Sequence, residues 1–159
     1  MKVLVLYHTK TGHTLEAVEA TVEGMREAGC TVEIVTAQNF DPSRLKEYDA
    51  LLIGSPCWGG SVSHGLSRPI KAALEKLSST SLNALAVAGI AVNGGYGAEN
   101  TIETIGKIVK QKGCKTFVHG PIAKAGAPLS LWVGPPVASA DLVRFKDFGH
   151  EFVHMCEGT

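Results

Sequence analysis

The sequence predicts an α/β fold, an open and mostly parallel sheet with helices on both faces. Two features of the chain carry this prediction. Short aliphatic runs alternate with longer stretches whose apolar residues recur every three or four positions. The runs are continuous rather than interleaved with polar residues, which suits strands covered on both sides.

The first run, Val3-Leu4-Val5-Leu6, reads as a buried strand. From Leu15 the period changes: Leu15, Val18, Val22 and Met25 share one face of a helix, with Thr14 to start it and Gly29 to stop it. Residues 32–35 form a second strand, and 39–48, with Asp41-Pro42-Ser43, a loop with room for one helical turn. Residues 50–53 make a third strand that ends at Gly54-Ser55-Pro56. Ser67 caps the next helix, with Pro69 in its first turn and Ile70, Ala73, Leu74 and Leu77 on its buried stripe. Residues 84–92 form a fourth strand. Ile102, Ile105, Ile108 and Val109 mark a helix stopped by Gly113. Phe117-Val118 belongs to a fifth strand. Residues 120–138, with three glycines and four prolines, read as a long irregular connection. A last helix over 140–156 places Leu142, Phe145, Phe148, Phe152 and Met155 on or near one face. Glu27-Ala28-Gly29-Cys30-Thr31-Val32 and Gln111-Lys112-Gly113-Cys114-Lys115-Thr116 repeat one grammar: helix end, Gly-Cys, strand.

The length of 159 residues suits a single domain, 1–159, and hydrophobic residues at 45% against charged residues at 19% supply a full core. Lys+Arg and Asp+Glu number 15 each, which argues against a nucleic-acid partner or a polybasic membrane patch. Cys30, Cys57, Cys114 and Cys156 show no C-x-x-C spacing, and in a chain this long they point to a reducing cytoplasm rather than a disulfide framework. The stretch MKVLVLYH is too short for a secretory signal or a membrane span.

In such sheets, ligands bind beyond the carboxyl ends of the strands, where strand order reverses. The first loop there is Tyr7-His8-Thr9-Lys10-Thr11-Gly12-His13-Thr14. It leads into a helix N-terminus, where backbone N–H groups and the helix dipole attract an anion. Thr9, Thr11 and Thr14 add hydroxyls, Lys10 adds charge, and Gly12 allows close backbone approach. This chemistry suits a phosphate monoester; the loop matches neither G-x-G-x-x-G nor G-x-x-x-x-G-K-[ST]. A turn that only caps the helix has the same composition. The second loop, Gly54-Ser55-Pro56-Cys57-Trp58-Gly59-Gly60-Ser61, offers a ring to cover one face of a flat heteroaromatic, unless Trp58 folds over the sheet edge. The third, Asn93-Gly94-Gly95-Tyr96-Gly97, repeats the theme with Tyr96, which is a surface tyrosine on the other reading. His8 and His13 lie near the first loop's anion site, and His64 and His119 near the same sheet edge.

Thr9-Lys10-Thr11-Gly12-His13-Thr14 resembles the flavodoxin phosphate loop, T/S-x-T-G-x-T. Gly54-Ser55-Pro56-Cys57-Trp58-Gly59 resembles the first isoalloxazine-flanking loop of that family. Asn93-Gly94-Gly95-Tyr96-Gly97 is similar to the second, as found in the flavodoxin modules of flavodiiron proteins. Residues 140–149 look like the family's last helix. The resemblance implies a flavodoxin-like doubly wound sandwich, its five parallel strands in the order 2-1-3-4-5, with FMN as cofactor. It implies that Thr9, Lys10, Thr11, Gly12, His13 and Thr14 hold the phosphate. Pro56, Cys57, Trp58 and Gly59, with Asn93, Gly94, Gly95 and Tyr96, would surround the ring. It further implies that the Gly59-Gly60 peptide turns its carbonyl toward the reduced ring. The chain departs from the family's usual acidity and lacks the acidic residue that often follows Trp-Gly. The expected function is an electron-transfer flavodoxin. An NAD(P)H-dependent FMN or quinone reductase on the same scaffold is the alternative, and a domain that has lost its cofactor and serves as an interaction module is a further one. The 120–138 connection, with Trp132, folds over the cofactor or makes a subunit contact in a homo-oligomer.

His150-Glu151-Phe152-Val153-His154 also satisfies H-E-x-x-H, the signature of a zinc hydrolase. Five residues follow His154, so no downstream helix brings a third ligand. If Phe145, Phe148, Phe152 and Met155 form the buried stripe, both histidines face solvent, and no metal is expected.

Overall fold

The computed structural model describes residues 1–57, 66–94, 97–125 and 135–158. Five strands, β1 (Lys2–Tyr7), β2 (Thr31–Thr36), β3 (Ala50–Cys57), β4 (Ala86–Asn93) and β5 (Phe117–Lys124), form one sheet in the order β2-β1-β3-β4-β5. Every neighbouring pair is parallel. Among the described residues four α-helices flank the sheet, α1 (His13–Glu27), α2 (Arg68–Glu75), α3 (Ala98–Gln111) and, after β5, α4 (Ser139–Glu157). Two 3₁₀ turns, Ala37–Asn39 and Pro42–Glu47, fill the connection from β2 to β3.

The continuous aliphatic runs follow from the layering. Val3, Val5, Leu52, Ala88 and Ile90 face one side of the sheet, under Val18, Val22 and Met25 of α1 and Phe145, Phe152 and Val153 of α4. Leu4, Leu6, Leu51, Ile53 and Val87 face the other, under Ile70, Ala73 and Leu74 of α2 and Ile105 and Val109 of α3. Every residue of β3 is buried, whereas the edge strand β2 is mostly half-exposed.

Both Gly-Cys repeats are Schellman caps. Cys30 N–H donates to the Met25 carbonyl and Gly29 N–H to that of Arg26; Cys114 and Gly113 do the same with Val109 and Lys110. Gly29 and Gly113 take φ of 90° and 94°, which a side chain would strain.

The sequence reading needs five corrections. α1 starts two residues earlier than expected, with Gly12 rather than Thr14 at its N-cap and Thr14 buried in its first turn. Leu15 and Ile108 are only half-buried, because the stripe of α1 runs through Thr14, Ala17 and Thr21, and that of α3 through Thr101 and Gly106 beside the expected Ile102, Ile105 and Val109. β3 does not end at Gly54 but runs through Ser55 and Pro56 to Cys57, paired with β4 throughout. β5 extends to Lys124, so residues 120–124 are strand rather than loop. On α4, Phe145, Phe148 and Phe152 are buried as expected, but Met155 is 45% exposed and Val153 takes its place in the core.

Candidate functional site

Strand order reverses between β1 and β3, and their chains leave the sheet on opposite faces, β1 into α1 and β3 toward α2. A crevice therefore opens at their carboxyl ends. His8 N–H donates to the Gly54 carbonyl at 3.1 Å, the last bond between the two chains. Gly54 thus points its backbone groups toward β1, and Pro56, two residues on, faces the same side. β1 has already left the sheet at that level. The proline's missing N–H costs no ladder bond there, which is why a proline fits a central strand.

The loop after β1 is held by its own groups. Thr9 Oγ1 accepts the Gly12 N–H at 2.9 Å. Gly12 adopts φ 92° and caps α1 without a side-chain bond. The first helical bond of α1 runs from Glu16 N–H to the Gly12 carbonyl at 3.1 Å. The N–H groups of His13, Thr14 and Leu15 precede it, and such groups look out of a helix end. A Cβ built on Gly12 meets no heavy atom within 4 Å, so the cradle is open on that side. Lys10 is exposed, Thr9 and Thr11 are half-buried, and His13 and Thr14 are buried. Burial pushes the His8 imidazole below its ordinary range. His13 Nδ1 lies 3.1 Å from Glu16 Oε2, and that oxygen also accepts the Val137 N–H at 3.0 Å.

The second and third loops meet beside it. Cys57 and Asn93 are register partners at the ends of β3 and β4. A Cβ on Gly97, the N-cap of α3, would meet Cys57 Sγ at 3.2 Å. Asn93 is 5% exposed, and its carbonyl accepts the Ala125 N–H at 2.8 Å. On the β5 side of Asn93 lies a cleft of about 370 Å³ lined by Ile122, Lys124, Glu99, Asp141 and Arg144. The structure thus brings Thr9, Lys10, Thr11, Gly12, His13 and Thr14 to one sheet edge with Pro56, Cys57, Asn93 and Gly94. Trp58, Gly59, Gly60, His64, Gly95, Tyr96 and Trp132 lie outside the described residues.

His150 and His154 are elsewhere. His150 Nε2 is 2.9 Å from Glu27 Oε2, at the C-terminal end of α1 and so away from the crevice, and His154 is 72% exposed at its side chain. Among the described residues no three metal-ligating side chains come together, and nothing in fold or family supports a zinc hydrolase. No helix among them is long and apolar enough to cross a membrane.

Sequence reasoning missed the Glu16–Val137 contact, the Gly97 cap and the buried Ser55. Ser55 Oγ accepts the Ser67 N–H at 3.4 Å and so ties the end of β3 to the start of α2. Gly97 had a signal, a glycine just before an apolar-periodic stretch, as at Gly12.

A five-stranded parallel sheet in this order, with a glycine-capped helix at its switch point, defines a doubly wound α/β protein of the mononucleotide-binding class. The chain matches the flavodoxin family over residues 5–131 and belongs to it. No curated protein matches it. Among solved structures, it is similar to the flavodoxin of Streptococcus pneumonia TIGR4, with a TM-score of 0.74 and 15% identity over 98% of this chain and 99% of that one. It is similar to the Flv1 flavodiiron core of Synechocystis sp. PCC6803, with a TM-score of 0.72 and 20% identity over 99% of this chain and 36% of that one. It also resembles a flavodoxin, WrbA-like protein from Agrobacterium tumefaciens, with a TM-score of 0.72 and 18% identity over 99% and 98%. At these identities the likeness is one of fold.

Membership of the family makes this an FMN-binding redox protein. The donor set at the first loop fits that cofactor: hydroxyls and backbone N–H groups around an open glycine cradle at the positive end of a 15-residue helix suit a phosphate monoester.

Proposed function

We propose that the chain is an electron carrier that holds FMN in the crevice between β1 and β3. The observation that carries this reading is the junction of three loops at one sheet edge, with the Gly12 cradle on one side and Pro56, Cys57 and Asn93 on the other. Thr9, Lys10, Thr11, Gly12, His13 and Thr14 hold the phosphate through hydroxyls, backbone N–H groups and one ammonium. Pro56, Cys57, Asn93 and Gly94 border the flat ring. Trp58, Gly59, Gly95 and Tyr96 are assigned to the same ring on sequence grounds. Bound FMN supplies reversible electron acceptance, while the chain binds it, orients it and limits the water around it. A reducing cytoplasm is the compartment this reading assigns, supported by the scatter of Cys30, Cys57, Cys114 and Cys156 along the chain without C-x-x-C spacing.

A second reading, an NAD(P)H-dependent reductase, draws on the cleft beside Asn93, a polar recess where Lys124 stands with Glu99 and with an Arg144–Asp141 pair at 2.7 Å. One anaerobic experiment separates the two. NADH and NADPH are mixed in turn with FMN-loaded protein and the flavin absorbance is followed. A carrier keeps its oxidised spectrum, whereas rapid bleaching by either nucleotide overturns the carrier reading. Failure of the protein to bind FMN overturns both.

A further inference from the structure

Glu16 is favoured by the dipole of α1 but competes with any other anion at that helix end. It lies in the first turn of α1, at the helix end assigned above to the phosphate, and a carboxylate there opposes a second anion. Its contacts show what it does instead. The single oxygen Oε2 meets His13 Nδ1 at 3.1 Å and accepts the Val137 N–H at 3.0 Å, across 121 positions of sequence. His13 is 6% exposed. Val137 is 4% exposed, belongs to the core layer of α1 and α4, and immediately precedes Ala138, the N-cap of α4. An ionised carboxylate only accepts hydrogen bonds, so the proton in the first contact sits on Nδ1 and the imidazole tautomer is set by Glu16. One carboxylate oxygen therefore joins the first residue of α1 to the segment that enters α4.

We propose that Glu16 is a positioning residue for the phosphate site. It clamps His13 to Val137, so that the first turn of α1 and the cradle in front of it keep the geometry a phosphate needs, without touching the phosphate itself. This rests on the reading that the phosphate of FMN lies at the first loop.

The test compares FMN with riboflavin, which is the same ring without the phosphate. Apoprotein of the wild-type chain, Glu16→Ala and Glu16→Gln is titrated with each flavin by fluorescence quenching. The wild type binds FMN the more tightly. Glu16→Ala weakens FMN binding about tenfold, as loss of hydrogen bonds to a charged group warrants, even though it removes a repulsive charge. Its riboflavin affinity stays within about twofold of the wild type. Glu16→Gln keeps wild-type FMN affinity or exceeds it, because its amide oxygen still accepts from both partners. Should Glu16→Ala fail to fold by circular dichroism, Glu16→Asp takes its place: it keeps the charge, falls short of the two partners, and weakens FMN selectively. Equal loss of both flavins, or unchanged discrimination in every variant, overturns the proposal and leaves the phosphate reading intact. A wild-type chain that binds FMN and riboflavin equally overturns the phosphate reading, and the proposal with it.

Discussion

Gly24 of α1 and Gly149 of α4 lie at the point where the two helices cross. A Cβ on Gly24 would overlap the Lys146 carbonyl oxygen, and a Cβ on Gly149 would overlap that of Thr21. Each helix thus lets the other's backbone approach where a side chain would hold it off. Lys146 bridges Glu23 and Glu27 at 2.9 and 2.7 Å beside the crossing, and His150 meets Glu27. Backbone atoms cannot swing aside as a flexible side chain can. Gly24→Ala and Gly149→Ala therefore each destabilise the fold by about 1–3 kcal/mol, the cost of overpacking a tight interior. The urea midpoint falls at unchanged slope. Lys146→Ala, at the exposed margin of the same crossing, has the smaller effect. A midpoint for Gly149→Ala equal to the wild type's would show that the helices part freely.

Gly12 and Gly29 make a matched pair. Both take a left-handed backbone, φ 92° and 90°, and a Cβ on either meets nothing within 4 Å. Alanine at each position therefore carries backbone strain and no clash, about 1–2 kcal/mol. The two variants lose similar stability in urea. Only Gly12→Ala loses FMN affinity, because only Gly12 opens onto the proposed cradle. Equal FMN affinity in both variants would place the phosphate elsewhere.

At the edge of the sheet, Arg44 pairs with Glu33 through Nη1 and Nη2 at 2.5 and 3.0 Å, and the Tyr48 hydroxyl donates to the same carboxylate. Arg44 first, then Tyr48, lower the Glu33 carboxyl from 4.5 to about 2. Burial, then Glu33, push the Tyr48 phenol from 10 up to about 12. A depressed carboxylate stabilises above its unfolded value and loses that contribution as pH falls through its folded one. The stability gap between wild type and Glu33→Gln is accordingly present at neutral pH and closes as pH falls from 4.5 toward about 2. The raised phenol has the opposite sense, its contribution present below pH 10 and lost toward 12. Ultraviolet titration, with Tyr48→Phe as the reference, then shows Tyr48 ionising above 10 and toward about 12. Tyr48 ionising near 10 would contradict the network.

Ser67 Oγ accepts the Ile70 N–H at 3.4 Å and starts α2, a helix of eight residues. So short a helix leans on its cap. Ser67→Ala costs about 0.5–2 kcal/mol. The loss appears in the urea midpoint, and Ser67→Gly recovers much of it.

The layers of the fold were legible because burial on both sides forces continuous aliphatic strands, and Ile70, Ala73 and Leu74 could fall only on a helix stripe. What escaped depends on neighbours. Gly54-Ser55-Pro56 reads as a strand terminator by residue type, yet it continues β3, because Pro56 faces the side that β1 has vacated. Thr14 is the better helix starter by propensity, but the chain turns at Gly12, where only a left-handed residue serves. The first loop's place at a helix start was readable because a glycine and hydroxyls directly follow a strand, whereas most of the second loop and part of the third lie outside the described residues. The Glu16–Val137 bond was not, since nothing local to either residue announces a partner so far along the chain.

The bond from Gly12 N–H to Thr9 Oγ1, with that from His8 to Gly54, has a consequence for affinity. Both are made by the chain to itself and need no ligand. Fixing one backbone residue costs about 1–2 kcal/mol of conformational entropy, and a floppy loop of five residues would charge that sum to its ligand at every binding event. A loop already committed to its shape surrenders little on association. Flavin binding by a neutral chain then draws less on strong attraction than on disorder settled in advance, when the protein folds.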